Sequence, residues 1–293
     1  MQESFLKYLQ YEKRYSKHTL TSYKLDLGQL EEFVAQNSPE LNIQEANHSL
    51  LRGWIVSLVE SGIQPKSINR KIASLRSYYK FLLRQGHIKK DPTVKIKVLK
   101  TSKKLPQFVN EAEMNLLLDS CDFSDDFIGM RDRLIMELLY GTGIRLSELI
   151  TLKTQDVHLQ NRTIKVLGKR NKERVIPFSA SLEKVIKQYL QLKKFSFSID
   201  ELPNLIVTDK GEPCYPMFIY RVVKKYLNLF TTIDKRSPHV LRHTFATHLL
   251  NKGADLNAVK DLLGHTSLAA TQVYTHNSLE KLKSVFDQAH PKA

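Results

Sequence analysis

The sequence predicts a mainly α-helical chain in two domains: a four-helix N-terminal module, then a helix-rich second domain carrying a small antiparallel β-sheet. Three observations lead there. The chain has 293 residues, enough for two separate cores. Its first hundred residues repeat apolar positions at helical spacing between turn signals, without the Val/Ile/Thr alternation of a strand. Only one later stretch, around residues 162–178, sets two β-branched apolar runs about a polar turn.

Four amphipathic helices account for the N-terminal module. Ser16 stands where an N-cap belongs, ahead of a helix from His18 to Val34, and Ser61-Gly62 precedes a further helix start at Pro65. From Ser67 to Arg84, Ile68, Ile72, Leu75, Tyr79 and Leu82 share one stripe, while Lys66, Arg70, Lys80 and Arg84 fall opposite. After Asp91-Pro92 the chain turns basic and loses helical period, and Pro106 disfavours helix at Leu105. These signals place the first domain at residues 1–98, a linker at 99–107 and the second domain at 108–293.

In the second domain Asn110 with Glu113 opens a capped helix, and Gly129 to Leu139 forms another that ends at Gly141-Thr142-Gly143. A hairpin over Arg162 to Phe178 carries Lys169 near its tip. A helix over Ser181 to Lys194 follows, then a strand-like Leu205 to Thr208 with a turn at Lys210-Gly211. Helices resume from Met217 to the end.

Formal charge is +15, and an excess of Lys and Arg attracts polyanions through counterion release. Lys66 to Lys104 holds thirteen basic residues against one acid, Asp91. Lys66, Arg70, Lys80 and Arg84 are therefore the candidate DNA face, since ordinary solvated faces mix signs. No spanning apolar run or amphipathic basic terminus suggests a membrane, and the N-terminus lacks a secretory apolar stretch. Cys121 and Cys214 are the only cysteines, far apart and away from metal-ligand spacing, so neither a disulfide framework nor a metal site is expected and a reducing cytoplasm fits.

Six scattered residues suggest chemistry on a phosphate: Arg145, Lys169, His239, Arg242, His265 and Tyr274. Arginines grip nonbridging oxygens, histidines and a lysine donate or move protons, and a tyrosine can attack phosphorus. Each signal is poor taken singly. Arg145 follows a glycine turn at a helix start, where polar surface residues are common, and Glu148 three residues on is either an orienting partner or a capping acid. His239 and Arg242 share a helical face, with Pro238 suited to the first turn. Tyrosines usually pack, with a high hydroxyl pKa.

In order and context the six resemble the catalytic set of the tyrosine recombinase (integrase) family. GTGIRLSEL, LGKRNKERVIPF and the block from SPHVLRHTFATHLL to LLGHTSLAATQVYTH carry the likeness most specifically, and with the N-terminal pieces they resemble the Xer branch. The resemblance implies an N-terminal core-binding (SAM-like) domain and a catalytic domain that clamp DNA. Tyr274 would attack the scissile phosphodiester to give a 3′-phosphotyrosyl link and a free 5′-hydroxyl. Arg145 and Arg242 would stabilise the developing charge, His265 would add a hydrogen bond, and His239 would assist proton removal. Lys169 would protonate the leaving 5′-oxygen, with Lys172 the alternative. No cofactor, metal or ATP is implied. Homo- or hetero-tetramers on two double-stranded recombination sites are implied, with the last helix, about Ser278 to Gln288, docking on a neighbouring protomer.

The sequence opens directly on the core-binding helices, which favours a simple resolvase-like enzyme. The Xer branch further implies chromosome dimer resolution, with a paralogous recombinase and a septal DNA translocase as possible partners. An integrase or invertase of a mobile element, a type IB topoisomerase and a non-catalytic DNA-binding protein remain alternatives, because fold constrains chemistry better than biological role.

Overall fold

Short polar side chains fix several helix starts. Ser16, Asn47, Asn110, Asp126 and Asp255 each accept a backbone N–H of the turn they open. The computed structural model describes residues 1–102, 107–168, 173–197, 202–264 and 284–292, and the chain divides into two units, Met1–Lys104 and Leu105–Ala293.

In the first unit α1 (Gln2–Lys7) runs on into a π-helical turn, Tyr8–Glu12, and is followed by α2 (Lys17–Asn37), α3 (His48–Glu60) and α4 (Pro65–Arg84). The expected stripe of α4 is the buried one: Ile68, Ile72, Leu75, Tyr79 and Leu82 lie in the core with Leu27, Leu30, Leu51 and Trp54. Two polar side chains of α4 hold the basic stretch that follows it back along that helix. The Asn69 side chain donates to Leu99 O at 2.9 Å and accepts from Leu99 N at 2.8 Å, and Arg76 donates to Ile96 O at 2.6 Å. Leu99, expected as the first linker residue, is thus held against α4.

In the second unit α5 (Glu111–Ser120) precedes α6 (Phe127–Thr142), which packs against α8 (Ala180–Phe197) and α10 (Pro238–Asn251). Because α6 is covered from several sides, Leu134, Ile135, Met136, Leu138, Leu139 and Tyr140 are all fully buried. Short α7 (Leu146–Thr151) leads to the sheet, in which β1 (Val157–His158), β2 (Thr163–Leu167) and β3 (Glu173–Pro177) pair antiparallel in that order. Ile164 faces Ile176 and Val166 faces Arg174. Helices α9 (Pro216–Phe230) and α11 (Leu256–Leu263), and a helical stretch over 284–289, also belong to the unit.

The strand expected at Leu205 to Thr208 does not form. Lys153–Asn204 and Val207–Pro213 make only isolated bridges. The backbone there is engaged elsewhere: Lys193 Nζ donates to the carbonyls of Leu202, Asn204 and Leu205, and Leu205 N donates to Leu152 O. Leu205, Ile206 and Val207 are all buried, so this short apolar run serves as a core loop. No described helix is long and apolar enough to cross a membrane.

Candidate active site

Gly143 ends α6 in the left-handed conformation, φ 59°. A Cβ built there would lie 2.5 Å from Phe245 Cδ1, so both backbone conformation and space call for glycine. The turn delivers Arg145 to the N-cap of α7. Glu148 Oε2 accepts from Arg145 N at 2.8 Å, closing the first turn, and Oε1 accepts from Arg145 Nη1 at 2.7 Å.

Glu148 is buried, and a third residue holds it. Arg174 of β3, also buried, donates from Nη1 and Nη2 to the two carboxylate oxygens at 2.7 and 2.8 Å. Burial alone would raise the carboxyl pKa, but the bonds from Arg174 and Arg145 outweigh it and hold it down to about 2.

Arg242 enters from α10, whose first helical residue is Pro238. Its Nη1 donates to Gly143 O, and its Nη2 donates to Leu263 O at 2.5 Å. Three successive carbonyls at the end of α11 thereby take one guanidinium each. Arg174 Nε reaches Leu262 O at 3.0 Å, Arg242 reaches Leu263 O, and Arg145 Nη2 reaches Gly264 O at 2.8 Å. A helix C-terminus offers unpaired carbonyls and the negative end of its dipole, which suits a cluster of cations. Gly264 turns away from the helix at φ 60°, close over Arg174.

Three guanidiniums face one carboxylate, leaving a surplus of two positive charges. Burial, then the neighbouring Arg145 and Arg174 charges, push the Arg242 pKa down to about 10. It remains protonated at neutral pH. Such crowding is relieved by an anion, and planar arginines suit phosphate oxygens. Arg145 keeps part of its side chain accessible, at 29%.

His239 lies exposed in the first turn of α10, three residues before Arg242. The other histidines of this helix pack elsewhere: His248 bonds Tyr140 Oη at 2.9 Å and Val109 O at 3.0 Å, while His243 meets the Phe108 ring edge-on. Lys169, Lys172, His265 and Tyr274 lie outside the described residues.

On the first unit Lys66, Arg70, Lys80 and Arg84 are exposed on α4. Two are tied within the fold. Arg70 donates to both oxygens of Asp26, at 2.6 and 2.9 Å, and Arg84 sits 4.4 Å over the Tyr8 ring and 3.5 Å from Glu12. Fully buried Asp26 also takes Lys71 at 3.1 Å and Ser74 at 2.7 Å. Compensating acids therefore reach α4 from other helices, beyond the stretch in which Asp91 stands alone.

The model of the phage integrase family matches residues 107–281, more than half of the chain. The chain belongs to the phage integrase, or tyrosine recombinase, family. Residues 3–86 match the N-terminal SAM-like domain of phage integrases. Tyrosine recombinase XerC of Staphylococcus carnosus is 40% identical over all of this chain and 98% of its own length. That of Chlorobaculum parvum is 37% identical over 99% of this chain and 94% of its own. Among solved structures, the XerH site-specific recombinase bound to a palindromic difH substrate aligns with a TM-score of 0.73. It covers 97% of this chain and 83% of its own at 23% identity, so it speaks for the fold. The Tn1549 transposon integrase with transposon right-end DNA aligns at 0.70, with 22% identity, 97% of this chain and 98% of its own.

Sequence reasoning missed Arg174 and Asp26. A signal existed for the first: in Glu173–Pro177, period 2 puts Arg174 on the same face as fully buried Ile176.

Proposed function

We propose that this protein is a site-specific recombinase that cuts and rejoins double-stranded DNA through a 3′-phosphotyrosyl link to Tyr274. The observation that carries the reading is the meeting of Arg145 and Arg242 on adjacent carbonyls of the turn that leads into His265. In this reading the two guanidiniums hold the nonbridging oxygens of the scissile phosphate and stabilise charge as the trigonal-bipyramidal state forms. Tyr274 attacks, with His239 assisting its deprotonation. His265 donates a further hydrogen bond, and Lys169 protonates the departing 5′-oxygen. Breaking one phosphodiester while making another conserves bond energy, so no ATP enters the cycle.

Full-length similarity to proteins named XerC supports a role in resolving chromosome dimers. Four protomers would act on two sites, either alone or with a paralogue, in response to a septal DNA translocase. Lys66, Arg70, Lys80 and Arg84 would contribute to the DNA face of the first unit.

The test mixes wild-type and Tyr274→Phe protein with nicked suicide duplexes tiling the source chromosome. A denaturant-resistant adduct for wild type alone, enriched for duplexes from the replication terminus, is the expected result. Enrichment for mobile-element flanks would keep the chemistry and overturn the chromosomal role. No adduct at all, or one equally formed by Tyr274→Phe, would overturn the recombinase reading.

A further inference from the structure

We propose that Arg174 is a positioning residue for the phosphate-binding arginine pair: by holding Glu148 and the end of α11 together, it aims Arg145 and keeps the site's positive charge uncompensated. The inference rests on the recombinase reading above. Arg174 is only 4% exposed, so it does not itself meet a DNA phosphate. Its three described bonds go to Glu148 Oε1, Glu148 Oε2 and Leu262 O. Glu148 in turn holds Arg145 through both the backbone N–H and Nη1.

The charge consequence is as direct as the geometric one. With Arg174 occupying both oxygens of Glu148, one carboxylate is shared by two guanidiniums, and Arg145 retains charge for a substrate oxygen. Without Arg174 the carboxylate is free to pair side-on with Arg145, as carboxylates and guanidiniums prefer to do. The site would then lose one of its two surplus charges. Leu262 O would lose its donor, one residue before the carbonyl that holds Arg242.

Lysine at this position keeps the charge but is a point donor without the planar fork. Arg174→Lys is therefore expected to slow adduct formation on the trapped suicide duplex about a hundredfold, the scale of a small misplacement of reacting groups. DNA affinity by fluorescence anisotropy should stay within about threefold, because affinity is spread over many phosphate contacts. Arg174→Met, lacking charge as well, should be slower still. A duplex with a methylphosphonate at the scissile position provides the readout that a merely structural role would not move. It removes one negative charge from the reacting group, so the gap between wild type and Arg174→Lys should narrow at least tenfold if the residue serves the arginine pair.

Should the single variants melt early, the Glu148→Gln/Arg174→Met double variant removes both buried charges together and is expected to recover stability without recovering cleavage. Wild-type adduct with an undiminished Arg174→Lys rate overturns the positioning role alone. An unchanged gap on methylphosphonate, or cleavage that returns with stability in the double variant, does the same. Wild-type protein that forms no adduct overturns the recombinase reading and the inference with it.

Discussion

Arg145 and Arg242, drawn from the N-cap of α7 and from α10, hold adjacent carbonyls of one turn: Gly264 O at 2.8 Å and Leu263 O at 2.5 Å. Two cations that repel each other are held side by side because the end of α11 presents its carbonyls in sequence. Their spacing is set by backbone, which moves little when side chains turn.

Glu148→Gln should damage both fold and chemistry. Glutamine keeps the shape but leaves buried Arg174 facing a neutral amide, and breaking a buried pair from one side costs about 3–5 kcal/mol. One retained acceptor puts the expected loss at the lower end of that range. Urea denaturation measures it, and adduct formation should fall as well, since an amide holds Arg145 through one oxygen where the carboxylate holds it through two.

Acid should erase that difference. Glu148 sits at about 2 in the fold against an ordinary 4.5, a depressed carboxyl, so its contribution is complete above pH 4.5 and is lost as pH falls toward 2. Wild type and Glu148→Gln should therefore differ by a constant amount from pH 7 to about pH 5 and converge below it. A gap that stays constant down to pH 2 would show that the charge of Glu148 contributes nothing.

A second pH effect belongs to the tail. His290 stacks on Phe286 at 4.8 Å and lies near Phe245 and Tyr140, and burial pushes its pKa down to about 3. Lys292 N donates to Nδ1 at 3.1 Å, a bond that requires this nitrogen unprotonated. A histidine depressed from 6.5 favours the docked state fully above pH 6.5, and that preference is lost progressively as pH falls toward 3. Hydrogen exchange of residues 284–292 should quicken over that window in wild type. In His290→Phe the same residues should exchange with little pH dependence beyond that of intrinsic exchange.

Much of this was legible in the sequence, and the misses share a cause. Caps and helical stripes are local, so α2, α4, α5 and α6 could be read from Ser16, Ile68-Ile72-Leu75, Asn110 and the Gly141-Thr142-Gly143 turn. Arg145 and Glu148 are three residues apart, within local reach as well. Arg174 and Asp26 act on partners 26 and 44 residues away, Glu148 and Arg70, which no local pattern supplies. Both reveal themselves only as charges on core-facing positions. Leu205 to Thr208 failed for a related reason: an apolar run records burial, while the competing bonds from Lys193 come from another helix.

Gly143→Ala should be costly for its size. The residue occupies φ 59°, and its new methyl would lie 2.5 Å from the Phe245 ring. Left-handed backbone costs a non-glycine residue about 1–2 kcal/mol, and overpacking adds about 1–3 kcal/mol. A loss of about 2–5 kcal/mol in urea denaturation is expected, with Gly141→Ala as the control, since its Cβ would meet only Leu182 at 3.6 Å.

Lys169→Ala should separate proton donation from phosphate binding. If Lys169 protonates the leaving 5′-oxygen, its loss slows cleavage on ordinary DNA by about 10²–10⁴-fold, the usual worth of a general acid. A 5′-bridging phosphorothiolate has a leaving group that needs no proton, so on that substrate the variant should approach the wild-type rate. Arginine variants offer a contrast, because Arg242→Ala loses charge stabilisation at the nonbridging oxygens and should remain slow on both substrates. Should Lys169→Ala also stay slow on the phosphorothiolate while Lys172→Ala is rescued, the acid is Lys172.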